Sequence, residues 1–287
     1  MKKTFVARIV TALAAMLLVG VAACADFNAD AMINVISRED GSGTRGAFIE
    51  LMGIQQRNED GTRKDLTTQE ATIVNKTDIM LTAVASDPAA IGYVSLGSLN
   101  DSVKALDIDG VAATAQNIID GGYAVSRPFL VATKGEPEGL AKDFIDFILS
   151  TEGQEIVAGG GYIAVNDDAV PYAGDLPSGK IVVAGSSSVT PIMEKLQEAY
   201  LALNGSATIE IQLSDSSAGM SGAIDGTCDI GMSSRDLKDE EKEQLADVAI
   251  AMDGIAVIVN PSNPLTGLTS VQVRAIFIGE VEVWSEV

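Results

Sequence analysis

Histidine is absent from this 287-residue chain. Without it the Ser-His-Asp and Cys-His nucleophile pairs, histidine general bases and histidine-ligated zinc are excluded, although carboxylate and lysine chemistry are not. Cysteine is almost as scarce. Cys24 and Cys228 are the only two, which excludes a Cys-rich metal site and argues against a disulfide framework. Cationic side chains are in deficit as well: 19 Lys and Arg against 40 Asp and Glu give a formal net charge of −21. The basic patches on which nucleic-acid binding relies are therefore missing. An anionic ligand would have to be held by local dipoles and a placed arginine, against an unfavourable overall field. Aromatics make up only 5% of residues, but 47% are apolar. That balance belongs to an ordered α/β protein, and the length fits one large domain or two lobes.

At the N-terminus Lys2, Lys3 and Arg8 precede an apolar run over 9–23. The run is too short for a stable transmembrane helix and right for a signal peptide, expected over 1–24. It ends Val21-Ala22-Ala23-Cys24, which resembles a bacterial lipobox and makes Cys24 the expected lipid anchor. Cys228 is then left unpaired and reads as a small buried hydrophobe.

Beyond a short polar spacer, β-like runs alternate with amphipathic stretches. Residues 33–36, 91–94, 129–132, 181–184, 209–213, 229–232 and 248–260 read as strands, and 45–52, a segment from about 191, and 270–277 read as helices. Leu140, Phe144, Phe147 and Ile148 fall at i, i+4, i+7 and i+8, one apolar face of a further helix. Residues 166–180, punctuated by Pro171, Gly174, Pro177 and Gly179, read as a surface linker. The charge run over 236–247 reads as a solvated helix face. Strands alternating with helices predict an α/β fold with largely parallel sheets.

Four strand-to-helix junctions share one composition: residues 38–44 (REDGSGT), 185–191 (GSSSVTP), 214–219 (SDSSAG) and 231–235 (GMSSR). In parallel α/β sheets ligands bind beyond the carboxyl ends of the strands, where helix N-termini present unpaired N–H groups and a positive dipole end. Ser and Thr hydroxyls add uncharged donors, glycine permits close approach, and Arg38 offers a bidentate fork. Any one of these junctions alone is ordinary N-capping; four in one chain, two with an arginine, point to an anion site.

The segments 181–191 (IVVAGSSSVTP), 212–219 (QLSDSSAG), 229–237 (DIGMSSRDL), 253–260 (DGIAVIVN) and 37–45 (SREDGSGTR) resemble signature stretches of the phosphate-binding proteins of ABC importers. The resemblance covers nearly all of the chain beyond the signal peptide. It implies a two-lobed type II periplasmic-binding-protein fold, α/β in each lobe, that closes on a buried phosphate. It implies no catalysis and no cofactor, with ABC permease subunits as partners. The expected protein is a monomer outside the cytoplasm, attached to the cell membrane through its lipid.

Carried over position by position, Ser187 and Ser188 match the first-lobe loop that holds phosphate, and Ser216 matches a hydroxyl donor at the next junction. Arg38, Ser42, Gly43 and Thr44 match the second-lobe cradle, and Asp40 matches an acid that orients the arginine. Ser234 stands where some members of the family have an aspartate that accepts the proton of bound phosphate. That leaves Asp40, Asp215 or Glu39 as the acceptor, or none, and leaves sulfate or molybdate as alternative ligands. A non-transport phosphate sensor of the same fold is a further alternative.

The order of the segments differs from the family's. There the AGSSSVTP half comes first; here it comes second. The expectation is a circular permutant in which the 166–180 linker joins the family's old ends, the alternative being a fragment of a tandem duplication. One lobe is then expected over 25–120 with 262–287 returning to it, and the other over 121–261, containing the linker.

Overall fold

The computed structural model describes residues 27–58 and 62–287. The signal-peptide and Cys24 assignments lie outside the described residues. In chain order the elements are β1 (Asn34–Arg38), α1 (Gly43–Leu51), the antiparallel pair β2 (Gln55–Arg57) and β3 (Arg63–Asp65), β4 (Thr72–Val74), α2 (Thr77–Ser86), β5 (Ala90–Ser95), β6 (Lys104–Ala105), β7 (Asp107–Ile108), α3 (Ala115–Ile119), β8 (Ser126–Thr133), α4 (Gly139–Leu149) and α5 (Thr151–Gly159). There follow β9 (Gly179–Ser186), α6 (Thr190–Leu203), β10 (Ala207–Ser214), α7 (Ser216–Asp225), β11 (Ile230–Ser233), α8 (Asp239–Lys242), β12 (Ala246–Val259), β13 (Gly267–Leu268) and α9 (Ser270–Phe277). The fold is α/β, as the alternation of runs predicts.

The main sheet runs β10-β9-β11-β8-β12-β5-β1-β4, with β6 also on β12. It is mixed where largely parallel sheets were expected. β9, β10 and β11 are mutually parallel, as are β1, β4 and β5, but β8 and β12 run antiparallel to their neighbours. The reason is β12. Its residues 246–254 pair with β8 and its residues 255–259 pair with β5, so this one strand serves both ends of the sheet.

Side-chain alternation fills both faces. Along β8, Phe129 and Val131 enter a core with α4, α5 and α6, while Leu130 and Ala132 enter another beside α7 that also takes in Cys228. Along β12, Ile255, Val257 and Val259 join a core with Phe48 and Phe277, while Ala256 and Ile258 face Met80 and Val84. Strands covered on both faces are continuously apolar rather than alternating, which is how 129–132 and 248–260 read in the sequence.

The predicted apolar face of α4 is buried in full: Leu140, Phe144, Phe147 and Ile148. The stretch 166–178 forms neither helix nor strand, as a linker should, but it is pinned. Asp143 on α4 accepts hydrogen bonds from the Tyr172 hydroxyl at 2.5 Å, the Tyr200 hydroxyl at 2.6 Å and the Asp175 N–H at 3.0 Å. The charge run departs from expectation. Only Asp239–Lys242 is helical, and Glu241 is buried against Arg235, with oxygens 2.8 and 2.7 Å from the two terminal guanidinium nitrogens.

Candidate functional site

Four helix N-termini converge on one buried cluster of hydroxyls. α1 brings Thr44 in its first turn, capped by Ser42, whose Oγ accepts from Arg45 N–H at 3.3 Å. α2 opens on Thr77, and α7 opens on Ser216 with Asp215 as its N-cap. Ser187 and Ser188 lie in the turn between β9 and α6. The fourth predicted junction is not a helix start: Ser234 follows the end of β11, and no helix begins until Asp239. The start of α2 supplies the fourth dipole end instead.

The cluster is tightly bonded. Thr44 Oγ1 lies 2.8 Å from Ser188 Oγ and 3.3 Å from Ser234 Oγ. Thr77 Oγ1 lies 3.4 Å from Ser187 Oγ and 3.3 Å from Ser188 Oγ. Ser186 donates to Ser234 Oγ at 2.9 Å, and Ser216 Oγ accepts from Ser234 N–H at 3.1 Å. Arg38 reaches in from β1: Nη2 donates to Ser187 Oγ at 3.0 Å. All of these side chains are buried. Gly43 is held to glycine by this proximity. A Cβ there would stand 2.4 Å from Ser216 Oγ and 2.7 Å from Ser234 Oγ. Gly43→Ala is therefore expected to keep the helix but push both hydroxyls aside. An anion held by those two donors should lose at least ~10-fold in affinity, measurable by calorimetry.

Of the residues picked from sequence, Arg38, Thr44, Ser187, Ser188, Ser216 and Ser234 come together, with Gly43 packed against the last two. Asp40 is a correction. Its side chain is 97% exposed, pairs with Arg45 at 3.1 Å, and borders an open cleft of about 830 Å³ rather than the hydroxyl cluster. The acid that orients Arg38 is its neighbour Glu39, whose two oxygens each accept at 2.8 Å, from Nε and Nη2. A fork facing sideways along β1 needs a carboxylate beside it, and Asp40 has already turned away toward α1.

Sequence reasoning missed two residues of this site. Thr77 follows a strand as the other site hydroxyls do, but as a single threonine without the Ser/Gly cluster that marked them. Arg127 is buried at the start of β8, where Nη2 donates to Thr44 Oγ1 at 3.1 Å and Nε to Ser234 O at 3.1 Å. Its charge is matched by the fully buried Asp253 on β12, which it contacts through Nη1. Burial pushes the Asp253 carboxyl up from its ordinary value, and the adjacent Arg127 charge opposes that shift. A lone arginine ahead of an apolar run carries no local signal, because its partner is 126 residues away. Behind Arg38, the Tyr93 hydroxyl accepts the Arg38 N–H at 3.1 Å and shares a hydrogen bond with Ser37 at 2.9 Å. Burial pushes its pKa up to about 12, so it stays a neutral hydroxyl.

Buried hydroxyls, helix N-termini and a paired guanidinium are together groups whose chemistry suits a small anion. Among the described residues, no group of three or more His, Cys, Asp or Glu side chains is placed to hold a metal ion. Among those residues, too, no helix is long and apolar enough to cross a membrane.

Comparison with known proteins adds to this geometry. A family model described as a PBP superfamily domain matches residues 12–152 and 170–287. The phosphate-binding protein PstS 2 of Streptococcus agalactiae serotype V is 53% identical over 256 residues, covering 88% of this chain and 87% of its own length. A crystal structure of the phosphate-binding protein of a phosphate ABC transporter from Streptococcus pneumoniae TIGR4 superposes with a TM-score of 0.71 at 44% identity, covering 89% of this chain and 99% of that one. The phosphate-binding protein PstS of Bacillus subtilis is 37% identical, but over 142 residues only, 48% of this chain and 43% of its own length. With a family model over most of its length and a relative more than half identical across it, the chain belongs to the PBP superfamily and, within it, to the phosphate-binding proteins called PstS.

Proposed function

We propose that the protein is an extracytoplasmic, non-catalytic receptor that captures inorganic phosphate between two lobes and delivers it to the permease subunits of an ABC importer. One observation carries this reading. Arg38, Thr44 and Thr77 from one part of the chain meet Ser187, Ser188, Ser216 and Ser234 from the other in a single buried cluster. Phosphate bound by Ser42, Gly43, Thr44, Ser187, Ser188, Ser216, Ser234 and Arg38 would complete those contacts and hold the two lobes together. The names of the relatives support the choice of phosphate.

The proposed lobes are 25–120 with 262–287, and 121–261; two separate apolar cores favour two lobes, but Tyr123, Val125 and residues 255–259 of β12 pack in the core of the first. Cys24 is the proposed lipid anchor that keeps the receptor at the membrane. A serine nucleophile would need a base, and among the described residues no carboxylate hydrogen-bonds to a hydroxyl of the cluster, in a chain without histidine.

The order of the segments is read as a circular permutation shared with the streptococcal relatives. The match to Streptococcus agalactiae runs through nearly the whole chain in one order, whereas the match to Bacillus subtilis PstS stops at about half of each chain. The described N-terminal residues also lie against the last ones: Ile33 N–H donates to Glu282 O at 2.7 Å and Ser285 N–H to Ala29 O at 2.8 Å.

The test is thermal unfolding with added phosphate. Phosphate at a thousandfold excess over its Kd should stabilise the protein by about 4 kcal/mol. An unmoved transition with phosphate, beside a clear shift with molybdate, would assign the receptor to another oxyanion.

A further inference from the structure

We infer that Gly41 and the first turn of α7 form a latch between the two lobes, outside the hydroxyl cluster, which holds the receptor closed and slows release of its ligand. The inference rests on the receptor reading above and adds a positioning residue, Gly41, that acts on closure.

A helix start leaves its first N–H groups without partners inside the helix. In α7 two of them are satisfied from different parts of the chain. The Ala218 N–H donates to the carboxylate of its own N-cap, Asp215, at 2.8 Å. The Ser217 N–H donates to Gly41 O at 3.2 Å, in the loop between β1 and α1. Gly41 belongs to the lobe proposed over 25–120 and α7 to the one over 121–261, so one lobe completes the cap of a helix in the other. Arg235 extends the same seam. Its Nη2 donates to Ser217 Oγ at 3.3 Å, and its Cδ lies 3.5 Å from where a Cβ on Gly46 of α1 would stand. Glu241 fixes the guanidinium from behind.

The seam is close enough to require glycine. A Cβ on Gly41 would stand 2.4 Å from Asp215 Oδ1, 2.5 Å from its Cγ and 2.8 Å from its Oδ2. The backbone of Gly41 is not left-handed, so the contact alone excludes a side chain there. An added methyl has two ways out. Asp215 can turn aside and give up the cap of α7, or the lobes can part. Parting keeps the cap and breaks the Ser217–Gly41 hydrogen bond, whose two groups water can then serve. The penalty therefore falls on the closed form and not on the open one. It should appear as faster release of ligand with little change in capture.

The experiment uses radiolabelled inorganic phosphate, with affinity from equilibrium dialysis and the dissociation rate from a chase with unlabelled phosphate. Gly41→Ala should raise the dissociation rate about 10-fold, the worth of a lost helix cap, and leave the association rate within about 3-fold of the parent. Asp215→Gly removes the carboxylate that the methyl would meet, and glycine is tolerated at an N-cap. That variant alone should release phosphate within about 3-fold of the parent rate, and so should the double variant Gly41→Ala with Asp215→Gly. A merely destabilised loop would not be rescued by a second change in the other lobe. Unchanged release in Gly41→Ala, or release in the double variant as fast as in the single one, overturns the latch while leaving the receptor reading standing. No binding of phosphate by the parent protein overturns both.

Discussion

Replacing Arg38 with alanine should abolish phosphate binding and leave the fold intact. The side chain is buried, and it brings the one guanidinium that crosses from β1 to the serine loop before α6. Two things happen on its removal. The cradle loses a charge-assisted donor, and Glu39, held until then by two hydrogen bonds of 2.8 Å, becomes an unpaired carboxylate beside the anion. Breaking such a pair in a buried site is worth about 3–5 kcal/mol, which in affinity is a loss on the order of 1,000-fold. The fold survives because Glu39 is 21% exposed and can turn to water, while the Arg38 backbone keeps its place through Tyr93. Calorimetry with phosphate, beside a urea titration of the same variant, separates the two effects. Affinity within a few-fold of the parent would show that the cradle is built around other residues.

The second large effect is on stability. Asp253→Ala should destabilise the protein by about 3–5 kcal/mol, because Arg127 is left charged in a site from which water is excluded. Both side chains are within 3% of complete burial, and Arg127 retains only neutral acceptors: the carbonyls of Ser234, Asp253 and Gly254 and the Thr44 hydroxyl. The double variant Asp253→Ala with Arg127→Met should recover much of the loss, since deleting both charges removes the unpaired one. A urea midpoint unchanged in the single variant would mean that the pair contributes nothing to the fold. The position matters because Asp253 lies on β12, close to where that strand changes partners from β8 to β5.

The strands and helices were legible because the period of burial was. The α4 face, the β8 run and the β12 run are each set by local alternation of apolar residues. The serine junctions were legible for the same local reason: a strand end followed by Ser, Gly and a helix leaves few other arrangements. What the sequence hid is long-range. Arg127 acquires its role only by meeting Asp253 and Thr44, and Glu39 rather than Asp40 faces Arg38 because of how β1 turns into α1. The charge run over 236–247 looked uniformly solvated, yet Glu241 is buried because Arg235 is there to receive it. The antiparallel centre of the sheet was hidden too, since one long apolar strand looks the same whether it serves one lobe or two.

Hydroxyls from both parts of the chain, with Arg38, make up the proposed anion site. It is tested most directly by titrating the protein with inorganic phosphate at pH 8 and repeating the titration with Arg38→Ala. The expected result is saturable binding of one phosphate per chain that vanishes in the variant. No saturable binding by the parent protein, or equal binding by the variant, would contradict it.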